Sequence, residues 1–351
     1  MKKYELSKRH FNLAIEDVTK YGNQLDLQAE IHLRLADIAG LESKPSENIL
    51  EIDKSRKLTN LYLKTVLPGL PPKGQQEYLQ KYFTSAFRTS LSFGFHAKKN
   101  SRAAFASAEW LINGKGLGQE VAAETALLAA PETAPFVQEL RGLRDEIARL
   151  WIQDPQMSRK ENRERLAELE AKEKGLQQEI NKRTPNSSRG NDWVTVGELM
   201  SRLPSDAAII NVSRVPILDF TRGGMHQTEE EDLANIEFRY VAWVIPYIAN
   251  GTVQIVDLGD ADEILELLSE FKASIVTEGS ARSLGIPKQN GRTNQKKTEE
   301  LTKKLSKLLV APLEPHLVGT KKIFLSPDGA LWEIPWDAPV SYTHLTLPTK
   351  A

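Results

Sequence analysis

The sequence predicts an α+β protein in which an all-helical N-terminal region precedes an α/β domain. Apolar residues recur at three- and four-residue spacing up to about residue 183, which is the period of helices that bury one face. Residues 184–191 (Thr-Pro-Asn-Ser-Ser-Arg-Gly-Asn) have the composition of a linker. Short apolar runs then alternate with helical patterns, which predicts a sheet with helices on its faces.

Composition excludes several classes of function. The chain has 351 residues, enough for two domains, and a formal charge of −1, which predicts neither a nucleic-acid partner nor a strongly acidic one. No apolar run is long enough to span a membrane, and the N-terminus does not resemble a signal peptide, so we expect a cytoplasmic protein. The absence of cysteine excludes disulfides, thiolate zinc sites and a cysteine nucleophile within this chain.

The helical region begins with amphipathic segments separated by breaks at Gly40, Pro45 and residues 68–72. A helix predicted over 75–95 carries apolar residues on one broad face, and further helices are predicted over 101–113 and 118–130. Core packing within a helical hairpin is our interpretation of the 75–95 face, with a peptide groove as the alternative. Such hairpins are the units of tetratricopeptide-type arrays, although no clean 34-residue period is present.

Residues 136–183 combine helical apolar spacing with dense mixed charge. The break near Asp154-Pro155 predicts a long charged helical hairpin with two arms. Each arm has fewer than three sustained heptads, so the pattern favours an intramolecular pair over a coiled-coil dimer.

The elements of the α/β region follow in order from residue 192. Helices are predicted over 193–203, 261–271 and 295–309, and strands over 207–213, 238–246, 252–257 and 321–326. Pro327-Asp328-Gly329 is a turn tripeptide, because proline fixes φ, aspartate binds nearby backbone and glycine adopts positive φ. Residues 330–336 are then expected to continue in extended conformation.

The run Ser-Pro-Asp-Gly-Ala-Leu-Trp-Glu-Ile-Pro-Trp at 326–336 resembles the middle of the CHAT domain, which has a caspase-like, clan CD peptidase-type fold and is usually found with tetratricopeptide repeats. Other segments resemble the same family in the same order. They are Ala108–Gly116, Trp193–Pro204, Ala208–Val212, Tyr240–Val244, Val256–Gly259 and Pro312-Leu313. The resemblance identifies 192–339 as the N-terminal half of such a domain from a bacterial protein.

The resemblance implies a cysteine peptidase in which histidine assists thiolate attack on a peptide carbonyl. The family's His-Gly and Ser-Ala-Cys motifs lie C-terminal to the segment found here. None of the six histidines has the matching context, so no catalytic residue is assigned: His10, His32, His96, His226, His316 and His344. The resemblance also implies protein partners for the helical region, and we expect no cofactor, metal, nucleic acid or membrane.

Residues 340–351 depart abruptly from the family pattern. We interpret them as a non-native tail, similar to the translated read-through of a sequencing adapter. The alternative is a genuine β-strand tail, because Tyr, Thr and Leu residues alternate in it.

Three other patterns have both a functional and a structural interpretation. The glycines of 113–118 suggest a phosphate loop, but their spacing favours a helix end. The run 219–226, followed by the acids of 229–232, suggests a metal site, but its composition favours a solvated loop. Asp257, Asp260 and Asp262 precede or open a helix, so helix capping is the expected role.

Two hypotheses therefore remain at this stage. In the first, the chain is the N-terminal part of a CHAT-domain cysteine peptidase and is inert without the His and Cys motifs. In the second, it is a helical scaffold or signalling protein whose α/β part only binds proteins. The presence or absence of the two motifs in the parent reading frame distinguishes them.

Overall fold

The computed structural model describes residues 2–21, 24–67, 72–117, 193–220, 236–283, 288–334 and 336, with isolated positions between 135 and 179. It confirms the α+β class, because a run of helices is followed by a mixed four-stranded sheet. The predicted helix over 118–130, the linker at 184–191 and the tail at 340–351 lie outside the described residues.

The helical region begins with three separate helices. A continuous run of two helices joined by a π-turn follows, and then a sixth helix. The bounds are α1 Lys2–Tyr21, α2 Leu25–Leu41, α3 Pro45–Val66, α4 Pro72–Tyr78, α5 Thr84–His96 and α6 Ser101–Lys115. Helices α2 and α3 form a tight pair, in which Ile31, Ala36 and Ile52 are at most 5 % exposed. Pro45 occupies the first turn of α3, where its missing N–H costs no helical hydrogen bond.

The helix predicted over 75–95 extends from Pro72 to His96, but it contains a π-turn at Leu79–Phe83. The backbone N–H of Thr84 bonds the carbonyl of Leu79, five residues earlier, which is the π-type spacing. Phe83 is 7 % exposed and shares a core with Leu63 and Leu67 of the α3 end. The apolar face is therefore occupied by core packing in this part of the helix.

The described positions of 136–179 join the two arms of the expected hairpin. Leu140 is buried against Phe136 and Leu176. The Arg165 guanidinium lies 2.8 Å from Glu146 on the other arm and 2.9 Å from Glu168 on its own. A groove of about 540 Å³ lies between the arms, and its charged lining is partly neutralised by these ion pairs.

The sheet has the strand order β3-β2-β1-β4. The strands are β1 Ala207–Pro216, β2 Phe238–Pro246, β3 Gln254–Asp260 and β4 Lys322–Ser326. Strands β1, β2 and β3 are antiparallel, and only β4 runs parallel to its neighbour β1. The N-terminal capping box of Thr195 and Glu198 begins helix α7 (Val196–Arg202), which leads into β1.

Two helices, α8 (Ala261–Ser283) and α9 (Lys288–Leu309), pack on one face of the sheet. Ala208, Ile210 and Val212 of β1 contribute every second side chain to this core, as the period of a strand requires. Their helical partners are buried as well and include Ile264, Leu268, Leu301 and Leu305.

A buried tryptophan contacts helix α6. The side chain of Trp243 is fully buried and donates a 2.9 Å hydrogen bond from Nε1 to the Ser107 hydroxyl. Gly94 of α5 lies so close to Ser107 that an added Cβ would approach the serine Cβ to 2.3 Å. Residues 88–111, which include the end of α5 and most of α6, therefore form part of the same unit as the sheet.

The segment after the turn tripeptide differs from the sequence prediction. Residues 330–336 were expected to be extended, but Gly329–Glu333 form a 3₁₀ helix. The N–H of Leu331 bonds the carbonyl of Asp328, and Gly329 has a φ of 52°, which turns the chain. The expectation of extended structure was therefore wrong at this segment.

The described residues form two compact units, and each unit is built from three separate segments of the sequence. One unit contains the described residues within 1–87, 112–194 and 220–227, and the other contains those within 88–111, 195–219 and 228–351. The second unit therefore includes the sheet, helices α7, α8 and α9, and the hairpin that carries Ser107.

Candidate functional site

The polar residues of the sheet unit converge where β1 and β4 end. Because β4 runs parallel to β1, with Ser326 opposite Asn211, the carboxyl ends of both strands lie at the same edge. Ser213 and Arg214 extend β1 beyond the last residue of β4, and Asp328 follows β4 in the turn tripeptide. We call Ser213, Arg214, Tyr240, Asp262 and Asp328 the strand-end cluster.

The Asp328 side chain takes over the hydrogen bonding to β1 where strand β4 ends. One carboxylate oxygen accepts a 2.8 Å bond from the Arg214 backbone N–H and a 3.2 Å bond from the Ser213 hydroxyl. Without this acceptor, the N–H of Arg214 would lack a partner, because β4 has already ended. Asp328 therefore fixes the turn against β1.

Arg214 lies on the helix-covered face of the sheet, and different parts of its guanidinium have different environments. Its guanidinium stacks 4.2 Å from the ring centroid of Phe238, and Nη2 donates a 3.2 Å bond to Asp262. Its Nε is buried and makes no hydrogen bond with any residue in the described ranges. Both stacking and charge pairing hold this side chain in place.

Tyr240 forms the buried floor of the cluster. Burial raises the pKa of its hydroxyl, and the nearby Asp328 carboxylate raises it further, while Arg214 acts in the opposite direction. The hydroxyl lies 3.8 Å from the position that a Cβ on Gly329 would take. The phenol therefore stays protonated at neutral pH and is available as a donor.

A second ion pair lies on the neighbouring strands. Nε of Arg239 donates to both oxygens of Asp257 at 2.9 and 3.0 Å, and Asp257 also accepts the N–H of Gly259. The bond to Asp257 raises the pKa of Arg239 despite partial burial. Asp260 accepts the N–H of Glu263 at 2.8 Å, so it caps α8 as the sequence predicted.

The cluster positions strands but does not contain a nucleophile–base pair. Ser213 donates to a carboxylate, and the described part of the cluster has no imidazole that could accept its proton. His32 is in the helical unit, where Nδ1 lies 2.6 Å from Glu51, and His226 and His344 lie outside the described residues. No group of three metal-binding side chains is found among the described residues.

The two remaining sequence candidates have different outcomes. Asn113 uses its side chain to hold Val194, donating to the carbonyl and accepting from the N–H at 2.8 Å each, and Gly114 lies against Phe87. This part of 113–118 is therefore a helix end, as the spacing predicted. Most of the 219–232 loop lies outside the described residues.

Sequence reasoning did not identify the importance of Ser213 and Arg214. The strand predicted over 207–213 ends at the first of them, whereas β1 continues to Pro216. Arg214 is not part of an apolar run that would predict a strand. The residues that contact it, Phe238 and Asp328, are distant in the sequence. The turn tripeptide did identify Asp328 as a backbone-binding residue.

The described residues include no helix long and apolar enough to cross a membrane. Comparisons of the chain with protein-family models, with curated proteins and with solved structures find no match.

Proposed function

We propose that residues 192–339 are the first half of a caspase-like CHAT domain, and that the protein acts as a cysteine peptidase once the second half is present. The observation that carries the proposal is the attachment of Asp328, in the Ser-Pro-Asp-Gly turn, to the end of the parallel strand β1. The turn thereby organises the edge of the sheet at which parallel strands present functional residues.

The free edge of β4 supports the proposal. Within the described ranges β4 pairs only with β1, and Phe324 at its centre is 53 % exposed. An edge strand with an exposed aromatic residue is a favourable partner for a further strand. We propose that the next strand of the domain pairs here and brings its catalytic residue to the strand-end cluster.

The proposed chemistry divides between the two halves. The residues after the Ser-Pro-Asp-Gly turn would supply a cysteine thiolate that attacks the peptide carbonyl and a histidine that transfers protons. The half present here would supply the rigid strand ends, held by Asp328, Arg214 and Tyr240. Because this chain has no cysteine, it cannot form the thioester intermediate by itself.

We further propose that the helical region binds protein partners and that the protein is cytoplasmic. Leu6 and Leu13 of α1 are 57 % and 48 % exposed. They are seven residues apart, which places them on the same side of the helix. A partner helix that covered both leucines would gain apolar burial.

The test is peptide hydrolysis by the product of the complete parent reading frame. We expect cleavage of a fluorogenic peptide library, loss of cleavage when the cysteine of the Ser-Ala-Cys motif is changed to alanine, and a strong reduction in the Asp328→Ala variant. Hydrolysis that survives the cysteine substitution, or a folded full-length product without hydrolysis, would contradict the proposal.

The second candidate is a non-catalytic helical scaffold or signalling protein. The observation that favours it is the absence of any cysteine in the chain. The two candidates differ in one respect that can be measured. A scaffold binds its partners with unchanged affinity when the motif cysteine is replaced and never releases cleaved products.

A further inference from the structure

The outer face of helix α9 carries a dense set of lysines. Lys296, Lys297, Lys303, Lys304 and Lys307 are all exposed, and only Glu299 and Glu300 oppose them between residues 296 and 309. On the other side of the helix, Leu301, Leu305 and Leu309 are buried in the core of the sheet unit. The helix is therefore fixed by its apolar face and presents the lysines outward. We call these five residues the lysine face.

Helical geometry places the lysine side chains close together. At 100° per residue, Lys296, Lys303 and Lys307 fall on one line along the helix, and Lys297 and Lys304 fall on the adjacent line. The set extends over about 16 Å of helix axis, at 1.5 Å per residue. Five positive charges within this length create a local positive potential.

Most of the lysine face differs in its charge pairing from several other lysines of the described ranges, which form ion pairs with nearby carboxylates. Elsewhere, Lys54 lies 2.8 Å from Glu51, Lys57 lies 2.7 Å from Asp53 and Lys172 lies 2.8 Å from Glu168. By contrast, four lysines of the face have no ion pair with a residue that the structure describes: Lys296, Lys297, Lys304 and Lys307. Their charge is thus available to an external anion.

We propose that the lysine face binds the phosphate backbone of nucleic acid without sequence preference. A duplex presents a uniform line of charge, so long flexible lysines find phosphates in any register. The exposed positions of 296–309 include no arginine and no aromatic residue, so the face lacks the usual means of reading base edges or stacking on bases. The predicted result is electrostatic, salt-sensitive binding.

The structure favours nucleic acid over the two other polyanionic partners. A helix that lies on a membrane inserts an apolar face, but the apolar face of α9 is already buried in the core. An acidic protein offers charges at fixed, irregular positions, and the lysine face has no arginine fork or apolar pocket in its described part to select them. A uniform polyanion needs neither feature.

The formal charge of −1 does not reveal this surface, because it is a sum over the whole chain. Charges more than about 10 Å apart are largely screened at 0.1 M salt. A bound polyanion would therefore respond mainly to the local excess of lysine on α9. This inference is independent of the proposed peptidase activity.

The test measures binding of the full chain to a fluorescein-labelled DNA duplex of about 25 base pairs and mixed sequence, by anisotropy. We expect log K to fall with log salt with a slope of about −4, or roughly 250-fold weaker binding between 50 and 200 mM salt. The K296Q/K297Q/K304Q/K307Q variant is expected to bind at least tenfold more weakly at the lower salt and to show a slope no steeper than about −1, because only Lys303 of the face remains.

The matched control is K54Q/K57Q/K73Q/K172Q, which removes the same charge from lysines that have carboxylate partners. We expect this control to bind within about twofold of the unmodified chain, since distant charges are screened. Circular dichroism verifies that both variants fold, and the pairs K296Q/K297Q and K304Q/K307Q replace the fourfold variant if it does not.

Four results would overturn the inference. They are the absence of duplex binding at low salt, equal losses in the variant and the control, labelled polyglutamate binding as tightly as the duplex, and binding to phosphatidylserine vesicles without binding to the duplex. The last two results would identify an acidic protein or a membrane as the partner.

Discussion

At the residue scale, Asp328 is the side chain on which the strand-end cluster most depends. It supplies the acceptor for one backbone N–H and one hydroxyl on β1. Ser213 is 4 % exposed, so its loss of a partner is not compensated by water. The local sequence predicted a backbone-binding aspartate here but could not identify the strand that it binds.

We expect Asp328→Ala to destabilise the sheet unit by about 1–3 kcal/mol, because it leaves buried donors without an acceptor. The control is Asp262→Ala, which removes a 75 % exposed partner of Arg214 and should cost less than about 1 kcal/mol. Urea unfolding followed by circular dichroism measures both. Equal stabilities of the two variants would contradict the role given to Asp328.

A second residue-scale prediction concerns the pH dependence of the α2–α3 pair. Burial tends to raise the pKa of Glu51, but hydrogen bonds with His32 and Lys54 outweigh it and hold the pKa below its ordinary value of 4.5. Since the folded pKa is the lower one, ionised Glu51 stabilises the fold above pH 4.5. This contribution is lost as the pH falls through the folded value.

We therefore expect Glu51→Gln to be less stable than the unmodified chain at neutral pH by about 1.5–3 kcal/mol, the range for hydrogen bonds to a charged group. The difference should shrink as the pH falls below 4.5. Thermal unfolding at a series of pH values measures it, with Glu30→Gln, whose ion pair with Arg34 is exposed, as the control. A difference independent of pH would refute the assignment.

At the element scale, the contact of α5, α6 and β2 is built from small side chains around a large one. Gly94 allows α5 to approach Ser107 of α6, and the Ser107 hydroxyl accepts the Trp243 N–H. The strand of Trp243 was predicted with its observed bounds, because its apolar run ends at Pro246. Its hydrogen-bond partner lies 136 residues away in sequence, and no local pattern indicates such a contact.

We expect Gly94→Ala to lower stability by about 1–3 kcal/mol, because the added methyl group overlaps Ser107 and forces the helices apart. The matched control is Gly197→Ala in α7, where an added Cβ meets no atom within 4 Å. That change should be neutral or slightly stabilising, since alanine favours helix. Similar melting temperatures for the two variants would contradict the close packing of α5 on α6.

The elements also show where sequence reasoning fails. Strands were predicted from apolar runs, which burial enforces, and all four were located. After Gly329 the same reasoning predicted an extended chain, but the structure has a 3₁₀ helix there. Leu331 in this helix and Ile334 directly after it are both buried. Their three-residue spacing fits this tighter helix, but a run of seven residues is too short to distinguish the two patterns.

At the scale of the whole molecule, the sheet unit uses helical residues from the first half of the sequence. Residues 88–111 belong to it, and without them the fully buried Trp243 would lose its partner. The sequence predicted the α+β class from a change in apolar period. It could not predict that residues 88–111 belong to the sheet unit, because this depends on contacts between residues that are distant in the sequence.

We expect residues 192–351 expressed alone to be insoluble or molten, because the fragment exposes the Trp243 face and because β4 has no strand on its outer side among the described residues. A fragment that begins at residue 88 should be more soluble, since it restores Ser107 and the hairpin. Residues 1–183 are expected to be more than half helical by circular dichroism. A sharp thermal transition for 192–351 alone would contradict this expectation.

The measurement that tests the central claim most directly is the sequence of the parent locus beyond codon 339. The account predicts that the frame continues into a strand that can pair with β4 and ends in His-Gly, followed by a strand that ends in Ser-Ala-Cys. A frame that continues without a histidine and a cysteine in these positions, or that stops at codon 351, would contradict the peptidase proposal and favour the scaffold.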